Sequence, residues 1–260
     1  MVQPERQHET RRSDRDAHPH GFRGRRPGAR AGHGLALHRQ PHVIAHRGVW
    51  GAGVHENSLA AFEKAIEVGA DMIELDVRRT RDRELIVFHD AEFAGTPVAE
   101  LTRSELEDST GMRPPSLEEA LEFVRGRIAL DVELKESGYE EELAGPLSGF
   151  AASGGDLIVS SFDDVVLARL KGFLPQLECG LLLSRSTERA PERAKTCGAT
   201  IVLPQVHLVD DASLDELSNA GLTVIVWDFM PEHAALLSEP RISGVITDDV
   251  AGVLAARAPI

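Results

Sequence analysis

The chain has 260 residues, a hydrophobic content of 42% and a formal net charge of −14 at pH 7. These values fit one large globular domain with a substantial core, and the acidic balance argues against nucleic acid as the main partner. Aromatic residues make up only 5% of the chain. A core filled by Val, Leu, Ile and Ala is typical of a parallel sheet that is covered by helices.

Residues 1–40 differ from the rest of the chain in composition. They contain nine Arg against four acidic residues, so they carry +5 while residues 41–260 carry −19. The segment lacks apolar periodicity, and a segment that buries little apolar surface does not offset its ordering entropy. We therefore predict a disordered basic tail over residues 1–40, without a secretory signal, and one folded domain over residues 41–260. A basic arm that contacts anionic lipid or RNA is the functional alternative for the tail.

The two cysteines, Cys179 and Cys197, form neither a CxxC motif nor a zinc pattern. We predict that they are reduced packing residues of a cytoplasmic protein. Apolar stretches long enough to span a bilayer are lacking, so we expect no stable membrane insertion. The oligomeric state stays open at this point.

From residue 42 onward, short apolar runs alternate with amphipathic stretches. The apolar runs cover residues 42–47, 71–78, 128–134, 157–161, 180–183, 200–203, 222–227 and 244–247. The helical patterns cover residues 58–68, 117–124, 140–152, 164–172, 188–195, 212–220, 232–237 and 250–257. We expect Asn57 and Ser116 to cap the first two of these helices. The alternation predicts βαβ units and a parallel sheet.

The apolar run over residues 84–89 breaks this alternation, because it follows the run over 71–78 after only a few residues. A parallel crossover needs about a dozen residues or more, so the two runs must form an antiparallel hairpin. With a two-residue turn at 82–83, His89 would lie opposite Asp76. The remaining eight strands predict a (β/α)8 TIM-type barrel, with the hairpin extending its second strand. An open doubly wound sheet is the alternative, but no GxGxxG motif follows the first strand.

Ionisable residues interrupt the apolar strands at their predicted carboxyl ends, where barrel active sites lie. Glu74 and Asp76 are two apart on the second strand, and Asp131, Glu133 and Lys135 have the same spacing on the third. Side chains at i and i+2 share one face of a strand, so we expect this set to point into the barrel mouth. Carboxylates gathered there need a counter-charge, and hard oxygen ligands favour Mg²⁺, Ca²⁺ or Mn²⁺.

Two further pairs of residues suggest what such a centre does. Arg47 and Lys135 supply positive charge that suits a phosphate. His46 and His89 supply two imidazoles, the side-chain type that most often serves as a general acid or a general base. Together with the acidic cluster, they predict a centre that cleaves phosphodiesters.

The order of these motifs resembles that of the glycerophosphodiester phosphodiesterase family over roughly residues 43–250. The motifs are Ala45-His46-Arg47-Gly48, Glu56-Asn57-Ser58, Glu74-Leu75-Asp76-Val77, Phe88-His89-Asp90, Glu133-Leu134-Lys135, Ser160-Ser161-Phe162, Val226-Trp227 and Ile246-Thr247-Asp248. The resemblance implies hydrolysis of small glycerophosphodiesters to sn-glycerol 3-phosphate and an alcohol. It also implies one divalent cation, often Ca²⁺ or Mg²⁺, held by Glu74, Asp76 and Glu133.

The resemblance further implies roles for the remaining residues. His46 and His89 would be the acid–base pair in a reaction through a cyclic phosphate, and Arg47 and Lys135 would contact the phosphate. From its position in the first βα loop, we expect Glu56 to lie over the cation or near the glycerol hydroxyls; the alternative is a charged residue beside the Asn57 cap. Trp227, which ends a strand, could form an apolar wall for the glycerol carbons. Which imidazole is the acid in the first step stays undecided.

Other functions are compatible with parts of this pattern. A lysophospholipase D-like enzyme on the same scaffold would need an apolar groove for an acyl chain. A non-catalytic barrel that binds phosphodiesters would not need all seven of the polar positions. A metal-dependent sugar isomerase would need more His ligands and less positive charge directed at phosphate.

Overall fold

The computed structural model of the protein describes residues 40–110 and 112–257. The predicted basic tail, apart from Gln40, therefore lies outside the described residues. The strands are β1 (His42–His46), β2 (Met72–Arg79), β3 (Leu85–Val87), β4 (Glu92–Phe93), β5 (Thr96–Pro97), β6 (Ala129–Leu134), β7 (Leu157–Ser161), β8 (Glu178–Leu183), β9 (Ile201–Pro204), β10 (Thr223–Val226) and β11 (Ile242–Thr247).

The helices lie between successive strands in chain order, except the last helix, which follows β11. They are α1 (Leu59–Val68), α2 (Arg103–Thr110), α3 (Leu117–Val124), α4 (Glu140–Ala152), α5 (Asp164–Phe173), α6 (Ala190–Cys197), α7 (Asp211–Asn219) and α8 (Val250–Ala256). Three 3₁₀ segments, Val98–Glu100, Val206–Leu208 and Pro231–Ser238, complete the regular structure of the described residues.

Eight parallel strands form the barrel in the order β1, β2, β6, β7, β8, β9, β10 and β11. The sheet closes because β1 pairs with both β2 and β11. Strand β3 is added to β2 in antiparallel orientation, outside the closed ring. The predicted TIM-type barrel with an extended second strand is confirmed.

Strand alternation divides the apolar residues into two layers. On β2, Ile73, Leu75 and Val77 belong to the large cluster between the barrel and its helices. A second cluster fills the barrel interior with Ile44, Met72, Ile158, Leu182, Ile201, Leu203, Ile225 and Ile246. Since neighbouring residues of a strand point to opposite faces, Glu74 and Asp76 must point inward. The predicted orientation of the acidic residues is therefore correct.

The hairpin register differs by one residue from the prediction. Its turn has three residues, 81–83, and Arg83 adopts a left-handed conformation with φ 65°. The backbone N–H of Phe88, and not of His89, therefore lies against Asp76, whose carbonyl oxygen it meets at 3.0 Å. The added turn residue shifts the whole pairing by one position. His89 consequently lies beyond the ladder, where its ring turns toward the barrel mouth.

Two helix predictions need correction. The cap of α1 is Ser58, whose hydroxyl accepts from the N–H of Ala61 at 3.1 Å, while Asn57 is left-handed with φ 54°. The predicted cap of α3, Ser116, is confirmed, and it forms a capping box with Glu119. The predicted helix over 232–237 is instead the 3₁₀ segment Pro231–Ser238, which rises further per residue than an α-helix.

Helix α2 was not predicted, because its sequence lacks an apolar stripe. Among its described side chains Leu106 is the buried hydrophobic one, and it packs in a small cluster with Ile86 and Val98. Its start nevertheless has a capping box. The hydroxyl of Thr102 accepts from the N–H of Glu105 at 3.2 Å, and Glu105 accepts from the N–H of Thr102 at 2.7 Å. The spacing Thr-x-x-Glu was the available signal.

Cys179 and Cys197 are free thiols that are buried in the layer between barrel and helices. Burial raises the pKa of Cys179 to about 12 and also raises that of Cys197. Both therefore act as small packing residues. The cytoplasmic location stays a prediction. Within residues 40–110 and 112–257, helices of the length and apolarity that a membrane crossing requires are absent.

Candidate active site

A cavity of about 290 Å³ opens at the carboxyl ends of the barrel strands. Nearly all the predicted site residues reach it. Its lining includes His46, Arg47, Glu74, His89, Glu133, Lys135 and Trp227, together with Asp131, Ser160, Phe162 and Asp248. Asp76 lies just beneath the lining with 0% exposure. Glu56 is the one predicted residue that lies outside this group.

Three carboxylates form the acidic centre of the cavity. Glu74, Asp76 and Glu133 are 2%, 0% and 6% exposed, and one oxygen of each lies within 4.8 Å of the others. Strand register explains this, because Asp76 pairs with Glu133 across β2 and β6. Oxygen Oε1 of Glu74 is buried and has no hydrogen-bond partner among the described residues. A hard divalent cation fits such a donor set, since it would supply the missing counter-charge.

The three carboxylates differ in their acidity. Burial, reinforced by Asp76 and Glu133, raises the pKa of Glu74 well above its ordinary value. Burial likewise raises the pKa of Glu133, although Lys135 opposes the change. For Asp76 burial also opposes ionisation, but Lys135 and Arg47 outweigh it and hold its pKa below the ordinary value. Asp76 is therefore ionised, and it pairs with the positive side chains of Lys135 and Arg47.

Lys135 and Arg47 lie against the acidic centre from two sides. The Nζ of Lys135 is 2.8 Å from Oδ1 of Asp76 and 2.7 Å from Oε1 of Glu133. The Nε of Arg47 is 3.2 Å from Oδ2 of Asp76, and its Nη1 donates to both oxygens of Glu56 at 2.9 and 3.1 Å. Glu56 thus holds the guanidinium of Arg47 from outside the cavity. Its predicted contact with cation or glycerol stays a prediction.

The backbone turn after β1 fixes where Arg47 points. Arg47 and Gly48 both adopt positive φ, at 58° and 83°. A Cβ on Gly48 would lie 2.7 Å from the carbonyl carbon of Ala61, so only glycine fits between the turn and α1. The N–H of Arg47 donates to Oε2 of Glu74 at 3.0 Å. Arg47 therefore contacts the acidic centre twice, with its backbone N–H at Glu74 and with its side chain at Asp76.

The two candidate imidazoles line the same cavity, and each has a carboxylate oxygen against its Nδ1. His46 has its Nδ1 2.7 Å from Oδ1 of Asp248, and its Nε2 is 3.9 Å from Oε2 of Glu74. His89 has its Nδ1 2.8 Å from Oδ1 of Asp90. Burial lowers the pKa of His89, with the Asp90 contact opposing the change. Since a carboxylate holds Nδ1 in both rings, Nε2 is the atom left for proton transfer.

Aromatic side chains form one wall of the cavity. Trp227 packs against the interior cluster, as its predicted strand face requires. Its Nε1 donates to the carbonyl oxygen of Leu183 at 3.2 Å, and its ring meets that of Phe162 edge to face at 5.7 Å between centroids. Phe162 is 41% exposed and also borders a second, open cavity of about 440 Å³.

The predictions missed several residues that complete the site. The Ile246-Thr247-Asp248 motif did not predict a role for Asp248, although this residue follows β11 at the same end of the barrel as the other polar residues. Asn57, the predicted helix cap, instead binds Asp76: its Nδ2 donates to Oδ2 at 2.6 Å, and its Oδ1 accepts from the N–H of Asp76 at 3.3 Å. No sequence signal identifies this contact, because it depends on the left-handed conformation of Asn57.

Asp131 is a further buried acid beside this centre. It is 0% exposed, and it pairs with Glu74 across β2 and β6. Burial raises the pKa of Asp131 to about 8, and the nearby Ser160 hydroxyl opposes the increase. That hydroxyl does not form a well-aligned hydrogen bond to either carboxylate oxygen of Asp131. A buried carboxyl without hydrogen bonds favours its neutral form.

The chain is similar to several known proteins over most of its length. Residues 46–251 match the family model described as the glycerophosphoryl diester phosphodiesterase family. A glycerophosphodiester phosphodiesterase of Caldanaerobacter subterraneus is 29% identical over 229 residues, which are 80% of this chain and 93% of that protein.

Solved structures agree with the family model. A glycerophosphodiester phosphodiesterase of Thermotoga maritima is 28% identical with a TM-score of 0.69, and the match covers 84% of this chain and 99% of that one. A phosphodiesterase of Oleispira antarctica, solved with its product sn-glycerol-3-phosphate, is 25% identical with a TM-score of 0.68, covering 84% and 96% of the two chains. The chain therefore belongs to the glycerophosphoryl diester phosphodiesterase family.

Proposed function

We propose that the protein hydrolyses glycerophosphodiesters to sn-glycerol 3-phosphate and an alcohol, with one divalent cation and with His46 and His89 as the acid–base pair. The observation that carries the proposal is that both imidazoles line one cavity with a buried acidic triad and with the positive side chains of Arg47 and Lys135. The product bound in the Oleispira antarctica relative supports a small glycerophosphodiester as the substrate class.

Glu74, Asp76 and Glu133 would hold the cation, with Mg²⁺ or Ca²⁺ as the first candidates and Mn²⁺ as a third. When bound, the cation neutralises part of the acidic centre and polarises a phosphoryl oxygen. Arg47 and Lys135 lie beside the triad, because Asp76 pairs with both. Their positive charges favour binding of the phosphodiester anion, and the planar guanidinium of Arg47 can meet two of its oxygens.

The chemistry follows in two steps. The Nε2 of one histidine takes the proton of the glycerol 2-hydroxyl, whose oxygen attacks phosphorus and closes a cyclic phosphate. The bond from phosphorus to the leaving alcohol breaks, and the other histidine donates its proton to that oxygen. A water molecule then opens the ring with the roles of the two histidines reversed, which leaves sn-glycerol 3-phosphate and restores both protonation states.

The carboxylates behind the histidines support this chemistry. Asp248 and Asp90 accept from Nδ1 of His46 and His89, so each contact favours the tautomer that presents Nε2 to the cavity. When a ring becomes an imidazolium during the reaction, the adjacent carboxylate stabilises its charge. Trp227 would contact the carbon atoms of the glycerol moiety, since its ring forms part of the cavity wall.

A lysophospholipase D-like activity is the second candidate. The exposed ring of Phe162 and the open cavity beside it would be the place for an acyl chain. However, that cavity is also lined by the exposed carboxylate of Asp163 and the half-buried carboxylate of Asp164, which an acyl chain does not favour. The lining therefore favours polar alcohols over acyl-bearing ones. A purely binding function would not need two imidazoles with carboxylate partners.

The test is an assay of glycerophosphodiesters and lysophospholipids with Mg²⁺, Ca²⁺ and Mn²⁺. We expect release of glycerol 3-phosphate from a small diester such as glycerophosphocholine, and loss of the activity in EDTA. Readdition of the cation should restore it. Turnover of lysophospholipids alone would favour the second candidate, and full activity in EDTA would contradict the role of the cation.

A further inference from the structure

Arg78 is a buried arginine to which neither the sequence motifs nor the proposed mechanism assigns a role. It lies on β2 two residues after Asp76, on the same face of the strand as Glu74 and Asp76. Only 7% of the residue is exposed. Since a buried guanidinium is costly unless its charge and its donors are satisfied, the partners of Arg78 indicate what it does.

The hydrogen-bond partners of Arg78 belong to two segments that carry candidate site residues. The Nε of Arg78 donates to the backbone carbonyl oxygen of His89 at 2.8 Å. Its Nη1 donates to Oε2 of Glu136 at 2.7 Å. Glu136 directly follows Lys135 at the end of β6. One side chain therefore ties β2 both to the loop that carries His89 and to the segment that carries Lys135.

The loop that carries His89 has few other buried restraints. His89 lies two residues beyond the end of β3, outside the ladder. On its amino side, the N–H of Phe88 donates to Asp76. The ring contact with Asp90 lies near solvent, since that carboxylate is 68% exposed, and exposed pairs of this kind restrain a side chain weakly. On its carboxyl side, the carbonyl oxygen of Ala91 accepts from the N–H of Val98 at 2.9 Å, and Arg78 supplies the buried restraint on the carbonyl of His89 itself.

We propose that Arg78 is a positioning residue that holds the backbone of His89, and with it the imidazole, in place over the reacting phosphorus. The inference rests on the proposed acid–base function of His89. Misplacement of a catalytic group by about 1 Å lowers turnover by about 10²-fold. Loss of Arg78 should therefore reduce kcat through His89, while the acidic triad retains its cation.

The experiment compares Arg78→Met with Arg79→Met in the full chain. Methionine keeps much of the buried apolar volume but removes the donors. Arg79 is a matched control on the next position of β2, because its side chain binds Glu142 and the carbonyl of Gly138 and contacts neither histidine. We expect Arg78→Met to lower kcat by about 10–100-fold with KM and calorimetric Mg²⁺ affinity nearly unchanged. Arg79→Met should leave all three values close to those of the parent protein.

A double-mutant cycle with His89→Ala separates positioning from general damage. If Arg78 acts through His89, Arg78→Met should cause almost no further loss of kcat in the His89→Ala background. An equal loss in both backgrounds, or an unchanged kcat for Arg78→Met alone, overturns the inference. Parent-like activity of a folded His89→Ala protein would instead contradict the proposed function, so the two failures are distinguishable.

Arg78→Lys covers the case in which the methionine variant does not fold. Lysine keeps the charge but has a single ammonium in place of the fork that reaches two acceptors. We expect a kcat between those of Arg78→Met and the parent protein, again only when His89 is present. A parent-like kcat for a folded Arg78→Lys protein would count against the need for the bond to His89.

Discussion

His46 and Asp248 lie 2.7 Å apart, from Nδ1 to Oδ1, although 202 residues separate them in the chain. They meet because β1 and β11 are hydrogen-bonded neighbours at the seam where the barrel closes. Contact with His46 also lowers the pKa of Asp248, which keeps that carboxylate ionised beside the ring. The pair connects closure of the fold directly to the orientation of a proposed catalytic group.

Replacing Asp248 by Asn should lower kcat by about 10–100-fold, because the ring of His46 loses its fixed tautomer and the charge that stabilises its imidazolium. Steady-state kinetics and circular dichroism would measure this. Asp249→Asn is the matched control, since Asp249 caps α8 by accepting from the N–H of Gly252 at 2.8 Å. The control should keep kcat. Equal effects of the two substitutions would contradict the role of Asp248.

His46→Ala and His89→Ala should each lower kcat by about 10²–10⁴-fold with the fold retained. A diester whose leaving alcohol has a low pKa, such as a nitrophenol, needs little protonation as it departs. The variant that lacks the general acid should therefore recover much more on that substrate than the variant that lacks the base. This comparison assigns the two roles. Equal recovery of both variants would contradict a division of labour between the histidines.

Glu133→Gln should weaken binding of the divalent cation by about tenfold or more, because a ligand with a full charge is replaced by a neutral one. Isothermal titration calorimetry measures this independently of turnover. Glu142→Gln is the control, since Glu142 pairs with Arg79 and Arg83 at the surface. Unchanged cation affinity in Glu133→Gln would remove this residue from the ligand set.

Asp131 should make the stability of the cation-free protein depend on pH. Its pKa is about 8 in the folded protein and about 3.9 in the unfolded chain. Because the folded state holds the proton more tightly, the unfolding free energy should fall as pH rises between these two values. The slope approaches about 1.4 kcal/mol per pH unit, and the loss is complete above pH about 8.

Urea unfolding in EDTA at several pH values tests this expectation. Asp131→Asn has no proton to lose, so its unfolding free energy should fall less steeply with pH than that of the parent protein. Glu74 and Glu133 are present in both proteins, so their own raised pKa values contribute to both curves. A difference between the two proteins that does not vary from pH 5 to about 8.5 would contradict the assignment to Asp131.

The inward acidic face was predictable from local pattern. The residues Ile73, Leu75 and Val77 alternate with Glu74 and Asp76, and a period of two leaves each set only one face. The helices cover the apolar face, so the carboxylates had to face the barrel interior. The position of His89 was harder to predict, because the three-residue turn with left-handed Arg83 shifts the register between β2 and β3 by one residue. Turn conformation is a local free-energy balance that apolar periodicity does not report.

The sequence by itself determined the barrel, the hairpin on its second strand and the end of the barrel where the polar residues gather, because these follow from periodicity and from short connections. Only the tertiary structure decided which side chains form hydrogen bonds with the site residues. Asp248 on His46, Asn57 on Asp76 and Arg78 on the carbonyl of His89 are contacts between separate loops and strands. They form because folding of the closed sheet brings those segments together. The spacing of the residues along the chain does not predict these contacts.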